Sequence, residues 1–123
     1  MPNVIHFEVC ADDLLRAVSF YSKVFGWKIE KTEGSEDYWM ITTTGSEEDP
    51  AITGGIVSRL DEWDSTINTI DVASLDDFAK RITEAGGKVL APKISLGGTG
   101  YVQYCQDSEG NTFGIMEFDE SAQ

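Results

Sequence analysis

The sequence predicts an α+β fold made of two βαβββ modules in tandem. Residues 4–10 alternate between apolar and polar side chains, which is typical of a half-buried strand. A helical apolar stripe and several β-rich segments follow, and the same order returns about 60 residues later, as in an internal repeat. Two units are too few for a solenoid. We therefore expect one domain, residues 1–123, with modules at about 1–60 and 66–120.

The first module is predicted to contain one helix among its strands. Asp12 or Asp13 offers the N-cap, and Gly26 offers the C-cap. The apolar stripe between them is Leu14, Ala17, Val18, Tyr21, Val24 and Phe25. Further strands are predicted at residues 27–31, 38–43 and within 51–60, followed by a polar connector at 61–65.

The second module repeats this order. After a strand at 66–72, Ser74 and Asp77 resemble a capping box, and the helical stripe is Leu75, Phe78, Ala79, Ile82 and Ala85. Strands are predicted at 88–90, 101–106 and 112–118, with a hairpin turn at 107–111. Residues 91–100 are expected to form a loop, in which residues 97–100 are either a strand connection, which we favour, or a mobile lid. The last five residues are expected to fray.

Composition excludes several classes of partner. The 123 residues carry 22 acidic and 9 basic side chains, a net charge of −13, so no basic face for nucleic acid or an anionic membrane is expected. Two cysteines are too few for a disulfide framework, and no apolar run reaches the length of a membrane span. A cytoplasmic protein with reduced thiols is the expectation.

Several motifs in order resemble the vicinal oxygen chelate superfamily, which includes glyoxalases, bleomycin-resistance proteins and extradiol dioxygenases. The motifs are His6 on the first strand, residues 12–14 with 20–27, residues 84–89, and residues 107–114. The nearest group in appearance is the bacterial-type predicted enzymes related to lactoylglutathione lyase. The resemblance implies modules whose curled mixed sheets surround a concave cavity, with helices on the convex side, and it implies a homodimer.

The resemblance also implies where a metal would bind. Metal-using members place a His on the first strand of one module, a second His or its equivalent on the first strand of the other, and Glu on the fourth and eighth strands. Here the first position is His6. The others fall at Ile67 or Asn68, at Gly55 or Ile56, and at Gly114, so none is a His or an acid.

One imidazole cannot hold a divalent metal by itself, because such sites need three or four converging ligands. We therefore expect no cofactor. The alternative is a divalent metal at a non-standard site, bound by His6 with Glu8 and with Cys10 or Asp71 as further ligands.

The expected ligand pocket follows from strand alternation and from the resemblance. Its predicted residues are His6, Glu8, Cys10, Trp39, Gly55, Tyr101, Gly114 and Met116. His6 and Glu8 are the best catalytic candidates, with His6 as a general base oriented by Glu8; the alternative is that His6 only lines the cavity. The aromatic and Met side chains have core packing as their alternative, and Cys10 fits a small buried apolar residue better than a nucleophile.

Three functions remain open from the sequence. The favoured one is binding of a small organic molecule without metal. The first alternative is a lyase, isomerase or dioxygenase that uses a divalent metal, and the second is a protein-interaction module. Whether the chain is an enzyme is left open.

Overall fold

The computed structural model describes residues 2–33, 38–43, 51–59 and 66–123. The elements are β1 Val4–Ala11, α1 Leu14–Phe25, β2 Lys28–Lys31, β3 Trp39–Thr42, β4 Thr53–Ser58, β5 Thr66–Asp71, α2 Leu75–Glu84, β6 Lys88–Val89, β7 Ile94–Ser95, β8 Gly100–Gln106 and β9 Thr112–Phe118. The predicted α+β class is confirmed, and the βαβββ order of β1 to β4 returns in β5 to β9 with β7 as an additional two-residue strand. The predicted connector at 61–65 lies outside the described residues.

The chain divides into two compact units. One is His6–Ile67, and the other is Asn68–Gln123 together with the first five residues. We call β1 to β4 with α1 the first module, and β5 to β9 with α2 the second module. Of the helices in the part of the chain that is described, neither α1 nor α2 is long and apolar enough to cross a membrane.

The first module has the strand order β2-β3-β4-β1. β1 pairs with β4 in parallel, and the other neighbours pair antiparallel. The core consists of Ala11, Ile41 and Ile56, with apolar side chains of α1 packed against it. As predicted, the Asp13 carboxylate accepts a hydrogen bond from the Arg16 backbone N–H at 3.0 Å, and Gly26 ends the helix with a φ of 70°.

The predicted stripe of α1 is too long at its C-terminal end. Val24 and Phe25 are 56% and 57% exposed. Tyr21 and Trp27 stack with ring centroids 5.4 Å apart at an interplanar angle of 2°, and both pack against the core. This pair fills the end of the core, and Val24 and Phe25 are left largely exposed.

The second module has the strand order β5-β9-β8, with β6 and β7 both pairing with β8. β5 and β9 are parallel. Val72, Leu75, Cys105 and Ile115 form its core, against which α2 packs. As predicted, α2 begins at a capping serine, since Ser74 Oγ accepts from the Asp77 backbone N–H at 3.3 Å.

Two expectations for the C-terminal part are wrong. The segment 91–100 is not a plain loop, because β7 lies within it and pairs with β8. The last residues do not fray, because Ala122 is 5% exposed and its carbonyl accepts from the Gly98 N–H at 2.7 Å. The Asp119 N–H also donates to the Thr99 carbonyl at 2.8 Å. These backbone hydrogen bonds join the glycine-containing loop to the end of the chain.

Candidate functional site

The two faces of β1 have different surroundings. Phe7 and Ala11 belong to the core under α1, and His6 and Glu8 alternate with them and therefore point to the opposite face. In the parallel pairing with β4, His6 lies opposite Thr53, and Glu8 lies opposite Gly55. The candidate site is built on this face of the first module.

Two hydroxyl groups hold the His6 imidazole. Nδ1 lies 2.6 Å from Thr53 Oγ1, and Nε2 lies 2.6 Å from the Tyr38 hydroxyl. A neutral imidazole has one N–H and one acceptor nitrogen, so one nitrogen donates to a hydroxyl oxygen and the other accepts from a hydroxyl. The ring is thereby fixed in position at both of its polar atoms.

The electrostatic surroundings favour the neutral imidazole. Burial lowers the pKa of His6 below its usual value of 6.5, and the charge of Glu8 opposes this shift more weakly. Glu8 is itself only 4% exposed. His6 is therefore uncharged near neutral pH and can both donate and accept hydrogen bonds.

Gly55 makes room for Tyr38. A Cβ atom added at Gly55 would collide with the Tyr38 hydroxyl oxygen and ring. Any larger residue there would displace the phenol from its place beside His6, because strand backbones shift little within a sheet. Gly55 is thus a condition for the contact between Tyr38 and His6.

The corresponding face of the second module lacks an imidazole. The Thr69–Gly114 pair of β5 and β9 corresponds to the Glu8–Gly55 pair, which places Ile67 at the position of His6. Thr69 is 4% exposed, and a Cβ added at Gly114 would lie 3.1 Å from its Oγ1. At these positions the second module carries an aliphatic side chain and a hydroxyl.

The predicted pocket residues fall into three groups. His6, Glu8, Cys10 and Gly55 share one face of the first module, and Gly114 and Met116 share the corresponding face of the second. Trp39 and Tyr101 pack against the helix-covered cores. Sequence reasoning missed Tyr38 and Thr53. Strand alternation was a signal for Thr53, which stands two residues before Gly55. It pointed away from Tyr38, because the adjacent Trp39 was expected on the pocket face.

The comparisons with known proteins identify the family. The family model described as the Glyoxalase/Bleomycin resistance protein/Dioxygenase superfamily matches residues 3–115. The chain belongs to this superfamily. It is also 34% identical over 112 aligned positions, with 88% of each chain covered, to a glyoxylase-like domain-containing protein of Didymella fabae.

Solved structures share the fold. A methylmalonyl-CoA epimerase from Mycobacterium tuberculosis matches with a TM-score of 0.67 at 16% identity, over 94% of this chain and 87% of the epimerase. A superfamily member from Vibrio splendidus 12B01 matches with a TM-score of 0.67 at 16% identity, over 95% and 99% of the two chains. At this identity the likeness concerns the fold alone.

The donor set does not fit the superfamily's divalent metal. Of the positions that the resemblance allows, the strand register selects Ile67 over Asn68 and Gly55 over Ile56, and the last position is Gly114. None of these three residues has a side-chain donor. Both nitrogens of His6 already contact hydroxyl groups. Among residues 2–33, 38–43, 51–59 and 66–123, no three His, Cys, Asp or Glu side chains are grouped closely enough to hold a metal ion.

Proposed function

We propose that the chain binds a small, neutral, oxygen-containing organic molecule on the face of the first module that carries His6, Tyr38 and Glu8. In this proposal the metal site of that face is incomplete, and binding needs no metal. The observation that supports this most is the His6 imidazole, held between the Thr53 and Tyr38 hydroxyls at 2.6 Å. The imidazole in turn fixes these two hydroxyls, which present donors and acceptors at defined positions, and such groups are how small-molecule sites orient their ligands.

The charge of the site supports a neutral ligand over an anion. The Glu8 side chain stands beside His6 on β1, and the whole chain has a net charge of −13. An anion would be repelled by both the local and the overall charge. A carbonyl or hydroxyl oxygen carries no such penalty and can hydrogen-bond with the hydroxyl of Tyr38 or Thr53.

Membership of the superfamily supports placing the ligand on this face of the first module, but it does not identify the ligand. The Mycobacterium tuberculosis protein is, by its name, an epimerase of methylmalonyl-CoA. Its 16% identity to this chain shows a shared fold and does not show a shared substrate. We infer hydrogen-bond recognition by this chain's own residues and assign no reaction.

The test uses the single histidine of the chain. Hydroxyacetone, a neutral carbonyl and hydroxyl compound, is titrated while the imidazole resonances and the backbone amide spectrum are followed by NMR. We expect shifts at His6 and at residues 53–55, unchanged by excess EDTA. Pyruvate, an anion of similar size, should bind more weakly.

Matched variants separate recognition from folding. Tyr38→Phe should weaken binding several-fold, on the order of one neutral hydrogen bond. Tyr101→Phe removes a phenol from the core side of the second module and should leave binding unchanged. Loss of binding in EDTA would contradict the proposal and favour the metal-dependent alternative. Equal binding by His6→Gln and the parent chain would also contradict it.

A further inference from the structure

The His6 imidazole links the hydrogen-bonding roles of its two hydroxyl partners. Its Nδ1 lies 2.6 Å from Thr53 Oγ1, and its Nε2 lies 2.6 Å from the Tyr38 hydroxyl. In a neutral ring, the hydroxyl beside the N–H accepts from the ring and keeps its own proton for a ligand. The hydroxyl beside the other nitrogen donates its proton to the ring, so it can only accept from a ligand. The two hydroxyls therefore offer a ligand one donor and one acceptor, and not two donors.

The surroundings of His6 leave the choice of protonated nitrogen to these hydroxyls. Both ring nitrogens contact a hydroxyl, and the neighbouring acid Glu8 acts on the ring through its charge. The Tyr38 ring lies at 14° to the imidazole plane with the ring centroids 6.4 Å apart, and Gly55 leaves room for it. This nearly coplanar arrangement brings the phenol oxygen to the edge of the imidazole, where the lone pair or proton of Nε2 lies.

The different acidity of the two hydroxyls selects the tautomer of His6. A phenol is more acidic than an aliphatic alcohol, so it is the stronger hydrogen-bond donor and the weaker acceptor. We therefore expect the Tyr38 hydroxyl to donate to Nε2, and Nδ1–H to donate to Thr53 Oγ1. The Thr53 proton is then available to a ligand, and the Tyr38 oxygen presents lone pairs. The site has a direction, with its donor at Thr53 and its acceptor at Tyr38.

The separation of the two hydroxyls limits the shape of a ligand that contacts both. Nδ1 and Nε2 lie on different edges of the imidazole, so the Thr53 and Tyr38 oxygens are separated by the ring and two hydrogen bonds. Two oxygens on neighbouring carbon atoms are too close together to reach both hydroxyls across the ring. A ligand that contacts both therefore has its oxygens at opposite ends of a compact carbon frame. Thr53 is exposed and Tyr38 half-buried, so the end bound by Thr53 is nearer to solvent.

We propose that this face of the first module selects a hydroxyketone over a diketone, with the ketone oxygen on the Thr53 hydroxyl and the ligand hydroxyl on the Tyr38 oxygen. The inference rests on the proposed function and adds to it the class and the orientation of the ligand. His6 is a positioning residue in this arrangement, because it sets the donor and acceptor roles of the two hydroxyls that contact the ligand.

The tautomer of His6 can be measured directly, since it is the single histidine of the chain. Proton–nitrogen correlation spectra of its imidazole are recorded at about pH 8, where the ring is neutral. We expect a protonated Nδ1 and an unprotonated Nε2. A protonated Nε2 would overturn the orientation of the ligand. Rapid averaging between the two tautomers would overturn the fixed roles of the hydroxyls.

Two cyclic compounds of equal size test the selectivity. In 4-hydroxycyclohexanone and 1,4-cyclohexanedione the oxygens stand at opposite ends of one ring, and only the first compound has a donor. Titrated into the whole chain and followed by amide NMR, the hydroxyketone should bind about threefold to tenfold more tightly, as expected for one hydrogen bond. Equal affinities, or binding of hydroxyacetone but of neither cyclic compound, would overturn the inference and leave the proposed function standing. Absence of binding by all three compounds would contradict the proposed function as well.

Variants of the threonine separate selectivity from folding. Thr53→Val removes the acceptor of Nδ1–H and should reduce the preference for the hydroxyketone to less than about twofold, because the Tyr38 hydroxyl can then donate or accept. Thr53→Ser restores the hydroxyl and should restore the preference. Thr83→Val removes a hydroxyl that donates to the Ala79 carbonyl within α2 and should leave the preference unchanged. Retention of the full preference by Thr53→Val that is folded by circular dichroism, or equal loss in Thr83→Val, would overturn the inference.

Discussion

The two modules share a backbone plan and differ in the chemistry of one face. In the first, His6 and the buried Glu8 lie on β1 opposite Thr53 and Gly55. In the second, Ile67 and Thr69 stand at the positions of His6 and Glu8. The comparison teaches that the cores under α1 and α2 preserve the fold, while the opposite faces are free to diverge.

The core half of this comparison predicts the largest effects. Ile56 and Ile115 occupy equivalent positions opposite Trp39 and Gln103, and they are 0% and 2% exposed. Replacing either with Ala should lower the free energy of unfolding by about 2–5 kcal/mol, because it leaves a cavity in a packed core. Urea unfolding measures this. A loss below about 1 kcal/mol in one variant alone would break the equivalence of the two cores.

The glycine pair gives a medium effect that separates the modules. Gly55→Ala drives a Cβ into the Tyr38 hydroxyl, whereas Gly114→Ala meets only Thr69 Oγ1 at 3.1 Å. We expect a loss of about 1–3 kcal/mol for the first variant and a change within about 1 kcal/mol for the second, by urea unfolding. The resonances of His6 should move only in Gly55→Ala. Equal losses of unfolding free energy in the two variants would show that the Tyr38 side chain can move aside without strain.

The titration of His6 gives the smallest effect on stability. Because burial lowers its folded-state pKa below 6.5, the unfolded chain binds more protons between the folded-state pKa and 6.5. The free energy of unfolding therefore falls as the pH drops through that window and levels off below the folded-state pKa. His6→Gln should remove this component of the pH dependence, as seen by urea unfolding across the window.

NMR titration of the only histidine measures the same pKa directly. A value at or above 6.5 would contradict the neutral imidazole on which the proposed function depends. The second module offers the built-in reference, because Ile67 at the equivalent position does not titrate.

The sequence predicted what depends on local pattern. Alternation along residues 4–10 placed His6 and Glu8 on one face, and the caps Asp13, Ser74 and Gly26 mark helix ends as expected. These features involve residues a few positions apart, so composition and spacing are enough to find them.

The partners of His6 depend on contacts between distant residues. Thr53 lies 47 positions away and comes opposite His6 only because β4 returns parallel to β1. Tyr38 reaches the imidazole only because Gly55 has no side chain. Trp39 shows the same limit in another form. Its strand was predicted from the sequence, but only its pairing with Ile56 shows that its side chain lies on the core face.

The outermost strands have a consequence for behaviour at high concentration. In the described part of the chain, one end of the first module's strand order is β2, and one end of the second module's order is formed by β6 and β7. β2 has a lysine at each end. β6 and β7 are two residues long each, and the segment between them contains Pro92. Neither of these edges offers a long row of unpaired backbone groups to a neighbouring molecule. The lysine charges of β2 and the interruption between β6 and β7 therefore disfavour edge-to-edge aggregation.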